Sequence, residues 1–426
     1  FEKAKNIKDI VLHFFGKIPI LGIDEGFLLI AYIFGGKILA EKEHEQGQIK
    51  EIKLDSRGLF RSIGSKAKFT LYHSFLLDQN SLAKDFEITA KTEDGKIMGF
   101  RHKTNMLEAV LFHPESFGSE YEKQFFISLL NYRREALPVQ EIVNQLCSGK
   151  DLDMVNAEIF MEDLTDGCLD ERQLASILTA FTAKGPSEAE IAGCASVLQR
   201  KKTPLPIGTR ELTDIVGTGG DSKGSFNISS MAALVAASCG LVIAKHGNRA
   251  VSSKSGSADF YEALGIKIDN SPEKTAESIV NTNFGFLFAP LYHGAMKHAA
   301  PVRRALGIKT IMNLIGPLSN PANAAYQMLG VYDIELLKPV AGASKILGAK
   351  RVMVVCSEDG FDEISPCAKT HVVEIDEDGK EKSYEILPEN FGITECNTDE
   401  LNGGTAQENA EIALNLVNGN GLHAIV

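Results

Sequence analysis

The chain has 426 residues, 44% hydrophobic and 23% charged, with 56 acidic against 44 basic side chains and a formal net charge of -12. This composition excludes a disordered or fibrous chain and fits about two or three domains of ~150 residues. The acidic balance excludes a general nucleic-acid binder, which needs a basic stripe, and no apolar run reaches the ~20 residues of a membrane span.

In chain order, IPILGI followed by Asp24-Glu25-Gly26 and FLLIAYIFGG predicts a strand, a sharp turn and a helix closed by Gly35-Gly36. Alternating apolar residues in KFTLYHSFLLD and FEITAKTEDGKIMGFRH predict strands, with a turn at Asp94-Gly95, and LEAVLFHPE predicts one more strand running into a loop. From about residue 136 the period changes. PVQEIVNQLCSG, DMVNAEIFMEDLTDG, DERQLASILTAFTAKG and SEAEIAGCASVLQRK carry apolar residues at helical spacing, with Asp170 and Ser187 as N-caps. Beyond Pro204 and Pro206 strands and helices alternate: LTDIV, a glycine loop, ISSMAALVAASCG, LVIAKHG and, much later, KRVMVVC. Such alternation predicts a mainly parallel sheet with crossover helices. The seven cysteines, Cys147, Cys168, Cys194, Cys239, Cys356, Cys367 and Cys396, are odd in number and form no C-x-x-C. They predict reduced thiols in a cytoplasmic protein rather than a disulfide framework or a zinc site.

Four segments carry chemistry. DIVGTGGDSKGSFNISS runs from a strand through Gly217-Thr218-Gly219-Gly220-Asp221 to a helix opening near Ser229. Glycines let backbone N–H groups approach an oxyanion, and a helix N-terminus adds a favourable dipole. The loop fits neither G-x-G-x-x-G nor G-x-x-x-x-G-K-[ST], and an ordinary glycine turn is the competing reading. AKHGNRAVSSKSGSAD then places Lys245, Arg249 and Lys254 among hydroxyls before another helix, which suits an anion cradle; His246 there reads as a satisfied loop histidine. LYHGAMKHAAPVRRALG carries His293, Lys297, His298, Arg303 and Arg304 on a helix-like stretch broken by Pro301, either a carboxylate clamp or a basic solvent face. Asp362-Glu363 follows the strand VMVVC at the end where an α/β site places Mg²⁺ ligands, with an acidic turn as the alternative.

Together, GTGGD (217–221), the Asn227–Ser229 segment, KHGNRAVSSKSGSAD (245–259), FGFLFAPLYHGAMKHAAPVR (284–303), NLIGPLSNPA (313–322) and GFDEIS (360–365) closely resemble anthranilate phosphoribosyltransferase, over about residues 136–426. The resemblance implies transfer of phosphoribosyl from phosphoribosyl pyrophosphate to the amine of anthranilate, with release of pyrophosphate, in tryptophan biosynthesis. It implies that Gly217, Thr218, Gly219, Gly220, Asp221, Asn227, Lys245 and Ser257 hold phosphoribosyl pyrophosphate. It implies Ser229, Asp362 and Glu363 as Mg²⁺ ligands, with Lys245, Asp362 and Glu363 central to catalysis. Asn248 and Arg303 would meet anthranilate, with His246 and His293 close to its path. Gly294 departs from the Pro usual after that His. A homodimer through the helical part is expected, with no nucleic-acid or membrane partner.

Residues 1–135 resemble the C-terminal part of a class I glutamine amidotransferase, through ILGI…FGGK (20–37), YHS (72–74), MGFRHK (98–103) and FHPES (112–116). His113 and Glu115 match that family's base and its orienter. Asp24 stands where the family has its Cys nucleophile, and Phe27-Leu28 replace the His-Gln that follows. A carboxylate cannot form the thioester, so glutaminase activity is not expected. The expected architecture is α/β: a partial flavodoxin-like amidotransferase domain (1–135), a helical subdomain (136–203) and a mainly parallel α/β domain (204–426) of the nucleoside phosphorylase/phosphoribosyltransferase type. The short lead-in before Asp24, the missing initial Met and the end at Val426 raise the expectation of a truncated front domain and an incomplete C-terminus. Two alternatives compete: an interaction partner of an anthranilate synthase subunit, and a phosphoribosyltransferase for another aromatic amine.

Overall fold

The structure is a computed structural model and describes residues 5–41, 46–133, 137–208, 210–219, 223–250, 254–393 and 397–419. It divides into two compact units, Phe1–Pro138 with Asp166–Asp170, and Val139–Thr165 with Glu171–Val426. Apart from Asp166–Asp170, the helical and α/β stretches after residue 138 thus belong to one unit.

The front unit comprises α1 (Lys5–Phe14), β1 (Ile20–Ile23), α2 (Glu25–Ile33), β2 (Ile38–Ala40), β3 (Gln48–Leu54), β4 (Lys66–Leu71), β5 (Phe75–Leu77), β6 (Phe86–Lys91), β7 (Ile97–His102), β8 (Leu107–Val110) and α3 (Glu122–Leu130). Its main sheet has the order β1-β8-β7-β6-β3-β4. β1 and β8 run parallel, and the other neighbours are antiparallel. Phe27, Phe60, Phe69, Phe100, Phe112 and Phe125 are fully buried in its core. Each such side chain contributes about 1.5–3 kcal/mol. This core holds β1 and β8 side by side, and their C-terminal ends carry the segments around Asp24 and His113.

The second unit begins with four helices: α4 (Val139–Cys147), α5 (Met154–Asp166), α6 (Glu171–Lys184) and α7 (Glu188–Lys201). Ser187 starts α7 through a capping box: its Oγ accepts from Glu190 N at 3.4 Å, and a Glu190 carboxylate oxygen accepts from Ser187 N at 2.7 Å. Loss of such a cap costs about 1 kcal/mol. Next come β9 (Thr213–Gly217), α8 (Ile228–Ser238), β10 (Ile243–Gly247), α9 (Ser257–Ala263), α10 (Pro272–Thr282), β11 (Phe284–Phe288), α11 (Ala289–Tyr292), α12 (Ala300–Leu306), α13 (Ile311–Ile315), β12 (Tyr326–Gly330), α14 (Leu337–Ile346), β13 (Arg351–Ser357), β14 (Thr370–Ile375), β15 (Glu381–Ile386) and α15 (Ala406–Val417).

The sheet order is β11-β10-β9-β12-β13-β14-β15. Neighbours from β11 to β13 are parallel, and β14 and β15 are added antiparallel. The chain order reverses around β9: one connection leads to β10 and β11, the other to β12 and β13. This is a switch point, where α/β sheets form a crevice at the C-terminal strand ends.

Two sequence expectations need correction. Pro301 does not break a helix; it lies in the first turn of α12, where a missing N–H is tolerated. Cys367 is disulfide-bonded, whereas Cys147, Cys168, Cys194, Cys239 and Cys356 are thiols. Pairing depends on tertiary approach, which spacing along the chain does not reveal. Among the described residues no helix is long and apolar enough to cross a membrane.

Candidate active site

The glycine loop leaves the C-terminal end of β9 at the switch point. Gly217 stands opposite Gly330 at the ends of β9 and β12, and Thr218 N donates to Gly330 O at 2.9 Å. Both glycines are required by the turn that follows β13. A Cβ on Gly217 would lie 2.5 Å from an Asp362 carboxylate oxygen, and one on Gly330 would lie 2.7 Å from the Asp362 carbonyl carbon. Glycine therefore lets the acidic turn seat directly on the phosphate-type loop. Gly219 (φ +65°) donates its N–H to Asp362 Oδ2 at 2.9 Å. Ser229, in the first turn of α8, donates its N–H to Glu363 Oε1 at 3.2 Å. Gly220 and Asp221 lie outside the described residues.

Lys245 projects from β10 into the same place and is buried. Its Nζ donates to Ile215 O at 2.5 Å and to Ser229 Oγ at 3.5 Å. Burial lowers its pKa, while the carboxylates of Asp214, Glu363 and Asp362 act in the opposite direction. Lys245, Ser229, Asp362 and Glu363 thus converge from separated segments of the chain. The Oγ1 atom of Thr218, beside them, is buried without a hydrogen-bond partner.

The second loop is tied down by its own residues. Asn248 is exposed; its carbonyl accepts from Ala258 N at 3.1 Å and Ser257 Oγ at 3.4 Å. Asn227 is engaged by neighbours: its Oδ1 accepts from Ser255 Oγ at 3.0 Å and Asn409 Nδ2 at 2.8 Å. It braces the loop from within. Arg249 does not join the expected anion cradle. Its guanidinium binds Asp259 and Glu262 at 2.8 Å each and stands over the Phe288 ring at 5.7 Å.

His246 and His293 are both buried, with ring centroids 5.1 Å apart and with neither Nε2 hydrogen-bonded. Burial pushes the His246 pKa down to about 3 and that of His293 down to about 4, so both are neutral at pH 7. His246 thus lies on β10 rather than in a loop, and its ring is half satisfied, hydrogen-bonded to the Gly316 backbone with Nε2 left unpaired. Arg303 is half-buried on α12, and among the described residues its guanidinium has no carboxylate partner. A desolvated guanidinium in that state suits an incoming carboxylate. Sequence reading misses Asp214 and Asn320. Both are buried beneath Lys245 and His246, and Asn320 Nδ2 donates to Asp214 Oδ2 at 2.6 Å. They lie 106 residues apart, so no local pattern links them.

In the front unit, Asp24 occupies a strained elbow (φ 50°, ψ -106°) between β1 and α2. A Cβ on Gly22 would lie 2.6 Å from Ile30 Cδ1 and 2.8 Å from the Gly26 carbonyl carbon, so the elbow depends on glycine there. His113 Nε2 is 3.5 Å from Asp24 Oδ2, and its Nδ1 is 2.8 Å from Glu115 Oε1. The imidazole thus separates the two carboxylates, and the frame of a nucleophile–base–orienter triad is retained with a carboxylate in the first position.

Comparisons with known proteins agree with both halves. The glycosyl transferase family model matches residues 209–425 with its a/b domain and residues 140–201 with its helical bundle domain. A class-I glutamine amidotransferase model matches residues 1–130. The chain is 37% identical over 412 residues to the bifunctional protein TrpGD of Thermotoga maritima, covering 94% of this chain and 69% of that protein. It is 45% identical over 279 residues to the anthranilate phosphoribosyltransferase of Desulfatibacillum aliphaticivorans, covering 66% and 82%. Among solved structures, the anthranilate phosphoribosyltransferase of Thermus thermophilus superposes with a TM-score of 0.62 at 43% identity, covering 67% of this chain and 85% of that one. The Saccharomyces cerevisiae enzyme, solved in complex with PRPP and Mg, gives a TM-score of 0.59 at 28% identity, covering 67% and 84%.

Proposed function

The chain belongs to the anthranilate phosphoribosyltransferases, with a class-I glutamine amidotransferase segment ahead of the transferase, and we propose that it transfers phosphoribosyl from phosphoribosyl pyrophosphate to the anthranilate amine. The observation that carries this reading is the convergence of Lys245, Ser229, Asp362 and Glu363 on the glycine loop at the switch point.

Displacing pyrophosphate from the ribose builds positive charge on the sugar and negative charge on the leaving group. Lys245 meets the leaving group with fixed positive charge, while the N–H groups of Gly219 and Ser229 hold the Asp362 and Glu363 carboxylates in place. The Asp362 and Glu363 carboxylates with the Ser229 hydroxyl form a hard-oxygen donor set, which suits Mg²⁺ better than zinc or copper. When bound there, Mg²⁺ supplies charge neutralisation of the departing pyrophosphate. Ser257 and Asn248 line the approach from the second loop. Arg303 orients anthranilate through its carboxylate, and neutral His246 and His293 accept or donate hydrogen bonds beside it. An aromatic amine is already neutral at pH 7, so the chain needs no strong base. Positioning and electrostatics carry the rate.

The same reading takes a homodimer as the assembled form and gives the front unit a docking role toward an anthranilate synthase subunit, without glutaminase activity. Incubation with anthranilate, phosphoribosyl pyrophosphate and Mg²⁺ tests the proposal: anthranilate fluorescence should decay as phosphoribosyl-anthranilate forms. A chain that leaves anthranilate intact but consumes another aromatic amine would support the alternative substrate reading.

A further inference from the structure

A fully buried carboxylate lies directly beneath the proposed site, outside the set of residues expected to touch a substrate. Asp214 is the second residue of β9, three before Gly217, and has no exposed surface. Burying a carboxylate costs several kcal/mol unless it is paired and hydrogen-bonded, so its partners matter. Its Oδ2 accepts from Asn320 Nδ2 at 2.6 Å, and its Oδ1 accepts from the backbone N–H of His246 at 3.2 Å. Asn320 is itself fully engaged. Its Nδ2 also donates to Ala244 O at 2.8 Å, its Oδ1 accepts from Ala322 N at 2.8 Å, and its carbonyl accepts from Lys202 Nζ at 3.1 Å.

The topology explains why a side chain is needed here. β9 and β10 pair through Ile243 and Thr213 and then diverge. Beyond that point the His246 N–H would have no strand partner, and the Asp214 carboxylate takes it. Lys245 crosses the same gap to reach Ile215 O and Ser229 Oγ. The Asp214 carboxylate is also the foremost of the negative charges acting on the Lys245 ammonium, ahead of Glu363 and Asp362. One acidic side chain thus holds the peptide between the two consecutive residues that open the second loop.

We propose that Asp214, held by Asn320, is a positioning residue for the transfer reaction: by holding the Lys245–His246 peptide through the His246 N–H it fixes both the base from which Lys245 reaches the pyrophosphate of the substrate and the start of the His246–Asn248 loop. This rests on the reading that Lys245 binds phosphoribosyl pyrophosphate. Lys245 serves the pyrophosphate end and the His246–Asn248 loop the anthranilate side, so loss of the carboxylate should weaken both substrates without unfolding the chain.

The test uses Asp214→Asn in the full chain, with steady-state kinetics in both substrates, calorimetric titration with pyrophosphate plus Mg²⁺, and thermal melting. The KM for phosphoribosyl pyrophosphate should rise by about ten-fold or more, and pyrophosphate affinity should fall by a similar factor, as loss of one buried charge-assisted interaction implies. The KM for anthranilate should rise as well, by about three-fold or more, because His246 and Asn248 follow the same peptide. Asn320→Ser keeps the carboxylate and removes its clamp, so it should move the same quantities in the same direction by roughly three-fold. Folded Asp214→Asn with unchanged KM and pyrophosphate affinity would overturn the proposal. So would KM changes in the two variants that merely track their loss of melting temperature. If Asp214→Asn does not fold, Asn320→Ser decides between the same outcomes. Lys245→Met separates the underlying reading: wild-type pyrophosphate affinity in that variant removes Lys245 from the binding site, whereas a loss there with none in Asp214→Asn removes only the positioning role.

Discussion

Replacing Gly330 with Ala probes the seat of the acidic turn without touching a charged group. A Cβ there would lie 2.7 Å from the Asp362 carbonyl carbon and 3.2 Å from its Cβ. The Cβ would also overlap the Asp362 carbonyl oxygen, and since non-bonded atoms settle at about 3.5–4.0 Å the 361–363 turn has to retreat by more than about 1 Å. The clash is with backbone, and no rotamer change relieves it. Gly219 N donates to Asp362 Oδ2 at 2.9 Å and Ser229 N to Glu363 Oε1 at 3.2 Å. A 1 Å retreat carries both past the distance at which hydrogen bonds hold. Displacing reacting or positioning groups by 1 Å costs about 100-fold in rate, and overpacking costs about 1–3 kcal/mol of stability. Anthranilate fluorescence decay under saturating phosphoribosyl pyrophosphate should therefore slow by about two orders of magnitude, while the melting temperature drops by only a few degrees, at ~2–4 °C per kcal/mol. Gly217→Ala, whose Cβ would meet the Asp362 carboxylate at 2.5 Å, should act in the same direction. A folded Gly330→Ala protein turning over within about three-fold of wild type would refute this account of the acidic turn, given the steep dependence of rate on placement.

Further predictions concern each half of the molecule. Arg303→Met should raise the KM for anthranilate by about ten-fold or more and leave that for phosphoribosyl pyrophosphate unchanged; equal shifts in both would remove Arg303 from carboxylate binding. Stability should fall in acid. His246 and His293 have folded pKa values held down to about 3 and about 4, below the ordinary 6.5. The unfolded chain therefore takes up protons first as pH drops below 6.5, and the stabilisation disappears as pH falls toward the folded values. Asp214, pushed up to about 6 by burial, works in the opposite direction and is most favourable in acid. The histidines outweigh it, so urea unfolding of the transferase unit should show roughly 2–3 kcal/mol less stability at pH 5 than at pH 7; equal or greater stability at pH 5 would contradict it. In the front unit, purified protein given glutamine should release no ammonia, because Asp24 at the elbow cannot form a thioester; steady release would overturn that assignment.

Features carried by contiguous residues are legible in the sequence. The strand–glycine loop–helix at 213–238, the elbow at 20–33 and the capped helix at 187–201 are local, and turn chemistry and periodicity determine them. The convergence of Lys245, Ser229 and Asp362-Glu363 is legible only through family resemblance, since the segments lie more than a hundred residues apart at the extremes. What stays hidden depends on tertiary packing. Arg249 looks like an anion ligand in sequence, yet Asp259 and Glu262, ten and thirteen residues on, occupy it. Asn227 is braced by Asn409 from α15, 182 residues on, a contact no local pattern announces. Asp214 reads as an ordinary polar strand residue, because nothing nearby announces the divergence of β9 and β10 that makes its carboxylate necessary.

The central claim is that Asp362 and Glu363 hold the metal-dependent leaving-group site of an anthranilate phosphoribosyltransferase. It is tested most directly by following anthranilate fluorescence in the presence of phosphoribosyl pyrophosphate, with and without Mg²⁺, for the wild-type chain and for Asp362→Ala combined with Glu363→Ala. Mg²⁺-dependent decay in the wild type and none in the double variant is the predicted result. Full Mg²⁺-dependent turnover in the double variant would contradict it.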